Sequence, residues 1–365
     1  MPKRRKILLT GASGVLGQAV LQRLAREGPV VCLCHHTPVA AAPGIELLSG
    51  DLAAPHLGLG ARELAALTAE IGGVLHLGAA TNFAATAEEL ARTNVDGTRC
   101  MVELARAAEV PLWYVSTAFA HLQTEGETAA REERKGTSAG GHEDYEDSKR
   151  EAEAVVREGG VPYLILRPSL VAGDAGTGFM PAFQGLHTVI FLLFHNLLPI
   201  LPAAADSRVD FLPRDLVADL IVGLTKGAAD GRELWLTAGD EALTVAALFA
   251  LGIDYARGVL AREAVMPRLV SQDMFDRLIR PVFLPALPVR MRRGCEQLLP
   301  LIKYLNLTRP FPTSLPEIAQ QMGVGGLDLK AVFERNLSYV ATRCRLAPAA
   351  GASAAVAAGD GGVLQ

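Results

Sequence analysis

The sequence lacks the features that mark disulfide-rich, zinc-binding and nucleic-acid-binding proteins. Its five cysteines are scattered over 365 residues without a C-x-x-C pair, at Cys32, Cys34, Cys100, Cys295 and Cys344. This spacing excludes a disulfide framework and a zinc site, and it fits a reducing compartment. The net charge of −4 lacks the basic excess that general nucleic-acid binding requires. We therefore expect a cytoplasmic protein with no metal site and no nucleic-acid partner.

The sequence also lacks an apolar run that could cross a membrane or serve as a signal peptide. The apolar residues Ile7–Leu9 near the amino terminus are too few for a signal peptide. The most apolar stretch is Phe179–Pro202, but its uninterrupted run Val189–Phe194 is too short to span a bilayer. Three interpretations of this stretch stay open: buried core, the apolar wall of a substrate pocket, and interfacial contact with a membrane.

Three glycines follow a short apolar segment near the start of the chain. The segment Lys6–Thr10 is predicted to be a strand and Leu16–Arg26 a helix, with the glycines between them and in the first turn of the helix. Glycine permits a tight turn and a close approach to a pyrophosphate, and the N–H groups at a helix N-terminus bind the anion. The predicted dinucleotide-binding residues here are Gly11, Ser13, Gly14, Val15, Leu16 and Gly17.

Apolar segments alternate with amphipathic segments through the first half of the chain. This pattern predicts an α/β fold, a doubly wound parallel sheet with helices on both faces, plus a smaller, mostly helical C-terminal substrate lobe. Further strands are predicted at Val30–Cys34, Val74–Leu77, Leu112–Ser116 and Tyr163–Arg167, and further helices at Ala61–Glu70, Glu88–Ala108 and Asp144–Arg157. Later elements are predicted at Val209–Leu212 (strand), Arg214–Thr225 (helix) and Glu233–Thr237 (strand).

The sequence predicts two domains. Residues 1–173, with returning segments at about 205–240, are assigned to the dinucleotide-binding domain, and residues 174–204 and 241–346 to the substrate-binding lobe. The polar stretch 125–141 is predicted to be an exposed loop. The alanine- and glycine-rich stretch 347–365 is predicted to be a disordered tail.

Tyr145 and Lys149 are spaced to lie on one face of a predicted helix. An ammonium near a phenol favours the phenolate, so Lys149 is expected to lower the pKa of Tyr145 and to suit it for proton exchange with a substrate oxygen. Thr117 follows a predicted strand, at the edge where α/β sheets bind ligands, and its hydroxyl can reach the same oxygen. These three residues are the predicted catalytic group.

In this order, the motifs resemble the extended short-chain dehydrogenase/reductase superfamily over residues 6 to about 240. The resemblance implies a Rossmann fold and a catalytic triad of Thr117, Tyr145 and Lys149. It implies that Asp51, in Gly50-Asp51-Leu52, holds the adenine amino group. It also implies that further cofactor contacts come from Leu52, Gly78, Ala79, Ala80, Asn94, Lys149, Arg167, Pro168 and Ser169.

Within the superfamily, four segments resemble the thioester-reductase and fatty-acyl-CoA-reductase branch, also called the male-sterility type. They are Val115–Phe119, Tyr145–Glu153, Arg167–Asp174 and Val209–Ala218, and His76–Phe83 and Trp235–Gly239 resemble the same branch. This branch implies reduction of an acyl thioester, bound to coenzyme A or to a carrier, or of a related lipid-like carbonyl, to an aldehyde or alcohol. The superfamily also implies a homodimer built on the helices around Glu88–Ala108 and Asp144–Arg157.

The predicted second strand ends in two histidines, His35 and His36, without a carboxylate. NAD-preferring relatives carry an acidic residue there, which binds the ribose 2′-hydroxyl. A missing carboxylate removes the repulsion that a 2′-phosphate would meet, and either histidine can accept that phosphate. The sequence therefore favours NADP(H) over NAD(H), although both histidines also fit a solvated loop.

Other functions remain open on the same scaffold. One alternative is a nucleotide-sugar epimerase or dehydratase. Such an enzyme needs a polar pocket for the sugar, whereas Phe179–Pro202 is mostly apolar. Another is a dehydrogenase of hydroxysteroids or β-hydroxy lipids, and a third is a non-catalytic dinucleotide-binding sensor. The basic cluster Arg290–Arg293 fits either a solvated face or a contact with phosphates on a substrate carrier.

Overall fold

The computed structural model of the chain describes residues 5–37, 39–81, 85–122 and 142–346. The predicted exposed loop at 125–141 and the predicted tail at 347–365 lie outside the described residues. None of the helices in the described ranges combines the length and the hydropathy needed to cross a membrane.

Thirteen strands occur in the described part of the chain. In chain order they are β1 (Lys6–Thr10), β2 (Val30–Cys34), β3 (Ile45–Ser49), β4 (Ile71–His76), β5 (Leu112–Val115), β6 (Tyr163–Pro168), β7 (Leu170–Ala172), β8 (Ile200–Pro202), β9 (Arg208–Val209), β10 (Phe211–Pro213), β11 (Glu233–Leu236), β12 (Leu243–Thr244) and β13 (Arg268–Val270).

The α-helices of the described ranges connect and cover these strands. They are α1 (Val15–Glu27), α2 (Ala61–Glu70), α3 (Ala87–Leu90), α4 (Gly97–Ala108), α5 (His142–Glu158), α6 (Leu186–Phe194), α7 (Arg214–Leu224), α8 (Val245–Gly258), α9 (Gln272–Met274), α10 (Leu284–Ala286), α11 (Val289–Leu298), α12 (Leu315–Met322) and α13 (Leu329–Arg343). Two π-helical segments, Ala91–Asp96 and Phe275–Phe283, and four 3₁₀ segments, Pro55–Gly58, Ala118–His121, Gly239–Glu241 and Leu299–Leu305, complete the described helical structure.

A seven-stranded parallel sheet forms the centre of the first unit. Its strand order is β11-β6-β5-β4-β1-β2-β3, and every neighbouring pair is parallel. The order reverses direction between β1 and β4, which is the switch point at which open α/β sheets bind ligands. The predicted Rossmann architecture is confirmed.

The inner strands are apolar because both faces of the sheet are covered. Leu8, Val31, Val74, Leu112 and Ile165 are all buried in one core cluster. The sequence analysis did not predict β3. Its residues lie half-buried or exposed at the edge of the sheet, so the strand has no continuous apolar run.

Most predicted elements agree with the structure to within one or two residues at each end, and three differ by more. Strand β4 begins at Ile71 rather than Val74, and it includes Gly73, where a Cβ would lie 2.3 Å from the ring of Trp113. The predicted helix Glu88–Ala108 is interrupted by the π-helical segment Ala91–Asp96. The predicted strand Val209–Leu212 divides at the buried Asp210 into β9 and β10, which pair with different strands.

The chain divides into two compact units. The first contains residues 1–169, 214–238 and 311–325, and the second contains residues 170–213, 239–310 and 326–365. The segment 311–325, which the sequence analysis assigned to the substrate lobe, belongs to the first unit. There Thr237 donates a hydrogen bond from Oγ1 to the carbonyl of Pro312 at 2.5 Å, and Trp235 donates from its N–H to Ser314 Oγ at 3.0 Å.

The second unit contains most of the stretch Phe179–Pro202, and its helix α6 is almost entirely buried. Leu186, Ile190 and Leu193 of α6 line an apolar pocket together with residues of α8 and α13. The buried-core and pocket-wall interpretations therefore both describe this helix, while Phe179 and Phe183 before it are exposed.

Candidate active site

The glycine turn after β1 has a backbone that only glycine can supply. Gly11 has a φ of +75°, and a Cβ there would lie 2.7 Å from the backbone nitrogen of Gly78. A Cβ on Gly17 would lie 1.9 Å from the carbonyl oxygen of Gly11, so the first turn of α1 passes directly over this loop. The predicted turn and the predicted close helix packing both occur.

Helix α1 starts directly after this turn with Gly14 as its N-cap. Because Gly14 has no side chain, the N-cap residue offers no side-chain acceptor to the N–H groups of the first turn. The loop itself is fixed by two hydrogen bonds, Gly14 N–H to Gly11 O at 3.0 Å and Gln18 Nε2 to Ser13 O at 2.9 Å. A rigid loop beside an uncapped helix start fits the pyrophosphate of a dinucleotide.

A buried histidine connects β1 with β4 and α4. The Nδ1 of His76 lies 2.6 Å from Thr10 Oγ1, and its Nε2 lies 3.1 Å from Thr98 Oγ1. Burial and, to a smaller extent, the charge of Lys149 lower the pKa of His76 to about 3, so the ring is neutral. Thr10 Oγ1 also accepts from the backbone N–H of Gly78 at 2.9 Å, which fixes the predicted cofactor segment after β4.

Asn94 joins this same segment to the helix that carries the predicted catalytic pair. Its Oδ1 accepts from the N–H of Ala80 at 2.7 Å, and its Nδ2 donates to Ser148 Oγ at 2.9 Å. Ser148 in turn donates to the carbonyl of Tyr145 at 2.6 Å. Because the π-helical segment places Asn94 between these two elements, the side chain is fully satisfied although it is buried.

The end of β2 holds the residues predicted to select the cofactor. The rings of His35 and His36 lie 3.5 Å apart between centroids, and His35 Nε2 lies 3.7 Å from Asp51 Oδ2. Asp51 also accepts from the N–H of Ala53 at 2.8 Å, which orients its carboxylate. The neighbouring Leu52 packs against Gly78, where a Cβ would lie 2.6 Å from Leu52 Cδ1.

Thr117 begins a single 3₁₀ turn, Ala118–His121, that follows β5. Its Oγ1 accepts from the N–H of Phe119 at 3.3 Å, so Thr117 caps this turn. Helix α5 is attached to the turn by Arg150, which donates to the carbonyl of Ala120. The turn that presents Thr117 is therefore tied to the helix that presents Tyr145 and Lys149.

Lys149 is buried, with 2 % of its surface exposed. Its Nζ donates to the carbonyl of Val115 at 2.9 Å and lies 4.4 Å from the centre of the Tyr114 ring. Burial lowers the pKa of Lys149 to about 7, against the opposing charge of Glu153, which raises it. The ammonium is thus held by neutral groups and is close to losing its proton at neutral pH.

The expectation that Lys149 lowers the pKa of Tyr145 is wrong for this arrangement. Burial raises the pKa of Tyr145 above its usual value, and the charge of Glu146 raises it further. The phenol is therefore protonated at neutral pH, as a proton donor must be.

Arg167, at the end of β6, has its side chain engaged away from any ligand. Its guanidinium forms a bidentate pair with Glu153, with N···O distances of 3.0 and 2.7 Å, and also contacts Glu233. Only the backbone of Arg167 remains for the cofactor contact that the resemblance implied. Ser169 is different, because its buried Oγ has no hydrogen-bond partner among the described side chains and backbone groups.

These contacts bring most predicted site residues of the first unit into one connected arrangement. The glycine turn, the segment Gly78–Ala80, Asn94 and α5 are linked by the hydrogen bonds given above. The sequence analysis missed Tyr114, the Val115 carbonyl, Ser148 and Glu153 as partners of these residues. Ser148 and Glu153 carry a readable signal, since they lie next to Lys149 and one turn beyond it.

Comparison with known proteins identifies the family. The model of the family described as male sterility protein matches residues 35–221, just over half of the chain. A hybrid PKS-NRPS synthetase, LUC5 of Fusarium sp, is 27% identical over 263 residues, which cover 67% of this chain and 6% of the synthetase. The chain therefore spans a small fraction of the curated relatives that it matches.

Two solved structures share the fold. The terminal R domain from the myxalamid PKS-NRPS biosynthetic pathway superposes with a TM-score of 0.73 at 24% identity, covering 94% of this chain and 92% of that domain. A thiolation-reductase di-domain from an archaeal non-ribosomal peptide synthetase superposes with a TM-score of 0.66 at 17% identity, covering 94% of this chain and 76% of that one. The chain belongs to the male sterility protein family and shares the fold of these reductase domains.

Proposed function

We propose that this chain reduces an acyl thioester, carried on coenzyme A or on a carrier protein, to an aldehyde or alcohol with NADP(H). The observation that carries the proposal is the state of the two groups on α5. Tyr145 is protonated, because burial raises its pKa, and Lys149 is a buried lysine whose pKa falls to about 7. A protonated phenol beside a buried lysine suits proton delivery to a developing alkoxide.

Each residue then has one task. Tyr145 donates its proton to the carbonyl oxygen, and the Thr117 hydroxyl orients that oxygen by a hydrogen bond. Lys149 binds the nicotinamide ribose and supplies positive charge beside the phenol. When bound, the nicotinamide supplies the hydride that adds to the carbonyl carbon. For a thioester, loss of the thiol then leaves the aldehyde.

The residues present fit a dinucleotide. The uncapped start of α1 and the glycine turn suit the pyrophosphate, and the orphaned hydroxyl of Ser169 suits a carboxamide. We assign the adenine end to Asp51 and Leu52, and the 2′-phosphate to His35 and His36. The two histidines stack at the end of β2, where NAD-preferring relatives carry a carboxylate.

Two features of the second unit support a lipid-like acyl group on a carrier. The pocket lined by α6 is apolar, which suits a hydrocarbon chain. The exposed Arg290 and Arg293 of α11 have no acidic partner among the described side chains, so both charges are available to a phosphate or an acidic carrier. Relatives bearing the names of PKS-NRPS synthetases support the carrier-bound form.

The proposal is tested by following NADPH oxidation with a series of acyl thioesters, on coenzyme A and on a phosphopantetheinyl carrier, with product analysis by mass spectrometry. We expect cofactor oxidation matched by aldehyde or alcohol. Tyr145→Phe is expected to abolish it, while Tyr163→Phe, at the start of β6, leaves it unchanged. An absence of oxidation across chain lengths and carriers would contradict the acyl-thioester assignment.

The carrier contact is tested separately with Arg290→Glu/Arg293→Glu. This double variant is expected to raise KM for the carrier-bound substrate about tenfold, as lost charge complementarity predicts. The KM for a short acyl thioester without a phosphate is expected to stay unchanged. Arg262→Glu, an exposed arginine outside the cluster, is the control. Equal KM values for all three proteins would remove the cluster from the proposal.

A further inference from the structure

Glu153 is a fully buried carboxylate that the reaction described above does not use. It lies on α5 one turn after Lys149, and 0% of the residue is exposed. Its oxygens accept from the guanidinium of Arg167 in a bidentate pair, from Arg157 NH2 at 2.8 Å and from His121 Nε2 at 2.8 Å. A buried carboxylate with this many donors is fixed in one orientation.

The partners of Glu153 come from the predicted catalytic helix itself, from the 3₁₀ turn after β5 and from β6. Arg167 belongs to β6, and both arginines also contact Glu233 of β11. The Arg167 guanidinium lies 5.0 Å from the centre of the Trp235 ring. Glu153 therefore holds α5 against the two strands at one edge of the sheet.

His121 connects Glu153 to the turn that presents Thr117. It is the last residue of the 3₁₀ turn that Thr117 caps, and its ring lies edge-on to Trp235 at 5.9 Å. About 30% of the His121 side chain is exposed, so this member of the network contacts solvent, as Arg157 and Glu233 do. The hydrogen bond from His121 to Glu153 spans 32 residues of sequence and joins the Thr117 turn to α5.

Glu153 is also the acidic group that acts on Lys149. Among the described residues, the groups that act on the ammonium besides Glu153 are the Val115 carbonyl, the Tyr114 ring and the neutral His76, and none of these three carries a negative charge. The charge of Glu153 raises the pKa of Lys149, against the burial that lowers it. Without Glu153 the lysine would lose its proton at a lower pH.

We infer that Glu153 is a positioning residue for the reductase reaction, acting through two contacts. Through His121 it holds Thr117 in register with Tyr145, and through its charge it favours the protonated form of Lys149. The inference rests on the proposed function and deepens the same site. It assigns to the ionic network behind α5 a part in catalysis as well as in folding.

The test compares His121→Leu, His121→Gln and Glu153→Gln with Glu151→Gln, an exposed carboxylate on the same helix, as the control. His121→Leu is expected to lower kcat roughly 10- to 100-fold with little change in the dissociation constant of NADPH, because it displaces Thr117 rather than the cofactor. His121→Gln keeps a donor for Glu153 and is expected to restore most of kcat. A purely structural role for His121 would not produce this rescue.

Glu153→Gln adds a readout through Lys149. The fall of kcat at alkaline pH is expected to shift to lower pH in this variant and to stay in place in Glu151→Gln. If the wild-type protein is active and both His121→Leu and Glu153→Gln keep its kcat and its pH profile, the inference is overturned while the proposed function stands. If the wild-type protein reduces no thioester, the proposed function fails first. His121→Leu decides the matter should Glu153→Gln fail to fold.

Discussion

Helix α5 carries two buried charges one turn apart, and their surroundings are opposite. Lys149 is held by a backbone carbonyl and an aromatic ring, both uncharged. Glu153 is held by two guanidinium groups and an imidazole. The interior of the helix therefore holds one underpaired charge and, one turn later, one fully paired charge.

The difference appears in the two pKa values. Burial moves the pKa of Lys149 down to about 7, since its neutral partners replace little of the lost hydration. Burial alone would raise the pKa of Glu153, but the hydrogen bonds from His121 and Arg167 outweigh it and hold that pKa well below its usual range. The Lys149 ammonium can therefore exchange a proton near neutral pH, while the Glu153 carboxylate stays ionised and fixed in position. This comparison indicates which charge serves chemistry and which serves position.

The largest effect is expected from Lys149→Met, which removes the underpaired charge. Loss of the ribose contact and of the positive charge beside Tyr145 should lower kcat/KM by about 10²–10⁴. The same variant should stabilise the fold at pH 7 by about 1–3 kcal/mol, because an apolar side chain of similar length avoids burying an ammonium. Urea unfolding measures the change in stability, and steady-state kinetics measures the change in kcat/KM. A destabilised variant would mean that the Lys149 charge is well compensated.

Glu153→Ala removes the fully paired charge of the comparison. It leaves the buried guanidinium of Arg167 without its main partner, which should cost about 3–5 kcal/mol of unfolding free energy. The matched control Glu151→Ala, at an exposed position of the same helix, should change stability by less than about 0.5 kcal/mol. Urea unfolding of both variants is the measurement. Similar losses in the two would show that the network carries no special stability.

Acidification should reduce the stability that the ionised Glu153 contributes to the fold. The pKa of Glu153 is depressed in the folded chain, so its contribution is complete above the unfolded value of about 4.5 and is lost as the pH falls below it. His76 adds an earlier loss between pH 6.5 and about 3, because the unfolded chain protonates it and the folded chain does not. Thermal unfolding from pH 8 to 3 should therefore show a melting temperature that falls in two stages. In Glu153→Gln the second stage should be smaller, and an unchanged second stage would contradict the assignment.

The smallest effect is expected at the cofactor end, remote from α5. Replacing His35 and His36 by alanine should reduce the preference for NADPH over NADH about tenfold, since each histidine offers one contact to a 2′-phosphate. The ratio of kcat/KM values for the two cofactors measures it. The pH profile of the variant should match that of the wild type, because Lys149 is untouched. An unchanged ratio would remove the histidines from cofactor selection.

The sequence predicts much of the first unit because its strands are continuous apolar runs. Strands β1 and β2 have the predicted bounds, while β3 was missed because an exposed edge strand has no such run. The π-helical segment that places Asn94 was also missed, because its residues differ little from those of an α-helix. A π-helix differs from an α-helix by one residue in the spacing of its hydrogen bonds, and over one turn this difference leaves no periodic signal in the sequence.

The candidate site was also predictable from the sequence only in part. The spacing of Tyr145 and Lys149 on one helix was readable from the sequence. The partners that set their pKa values were not, because Val115 and Tyr114 reach Lys149 from a strand more than thirty residues earlier. For that reason the sequence predicted a lowered pKa for Tyr145, whereas burial raises it.

The titration of Lys149 tests the comparison most directly. The chain contains few lysines, so ¹³C labelling at the lysine ε-carbon gives resolvable NMR signals, and the Lys149→Met spectrum assigns the signal of interest. One signal is expected to titrate near pH 7 in the wild type, to be absent in Lys149→Met, and to move to a lower midpoint in Glu153→Gln. A wild-type spectrum in which every lysine titrates near 10.5, the usual lysine value, would contradict the account.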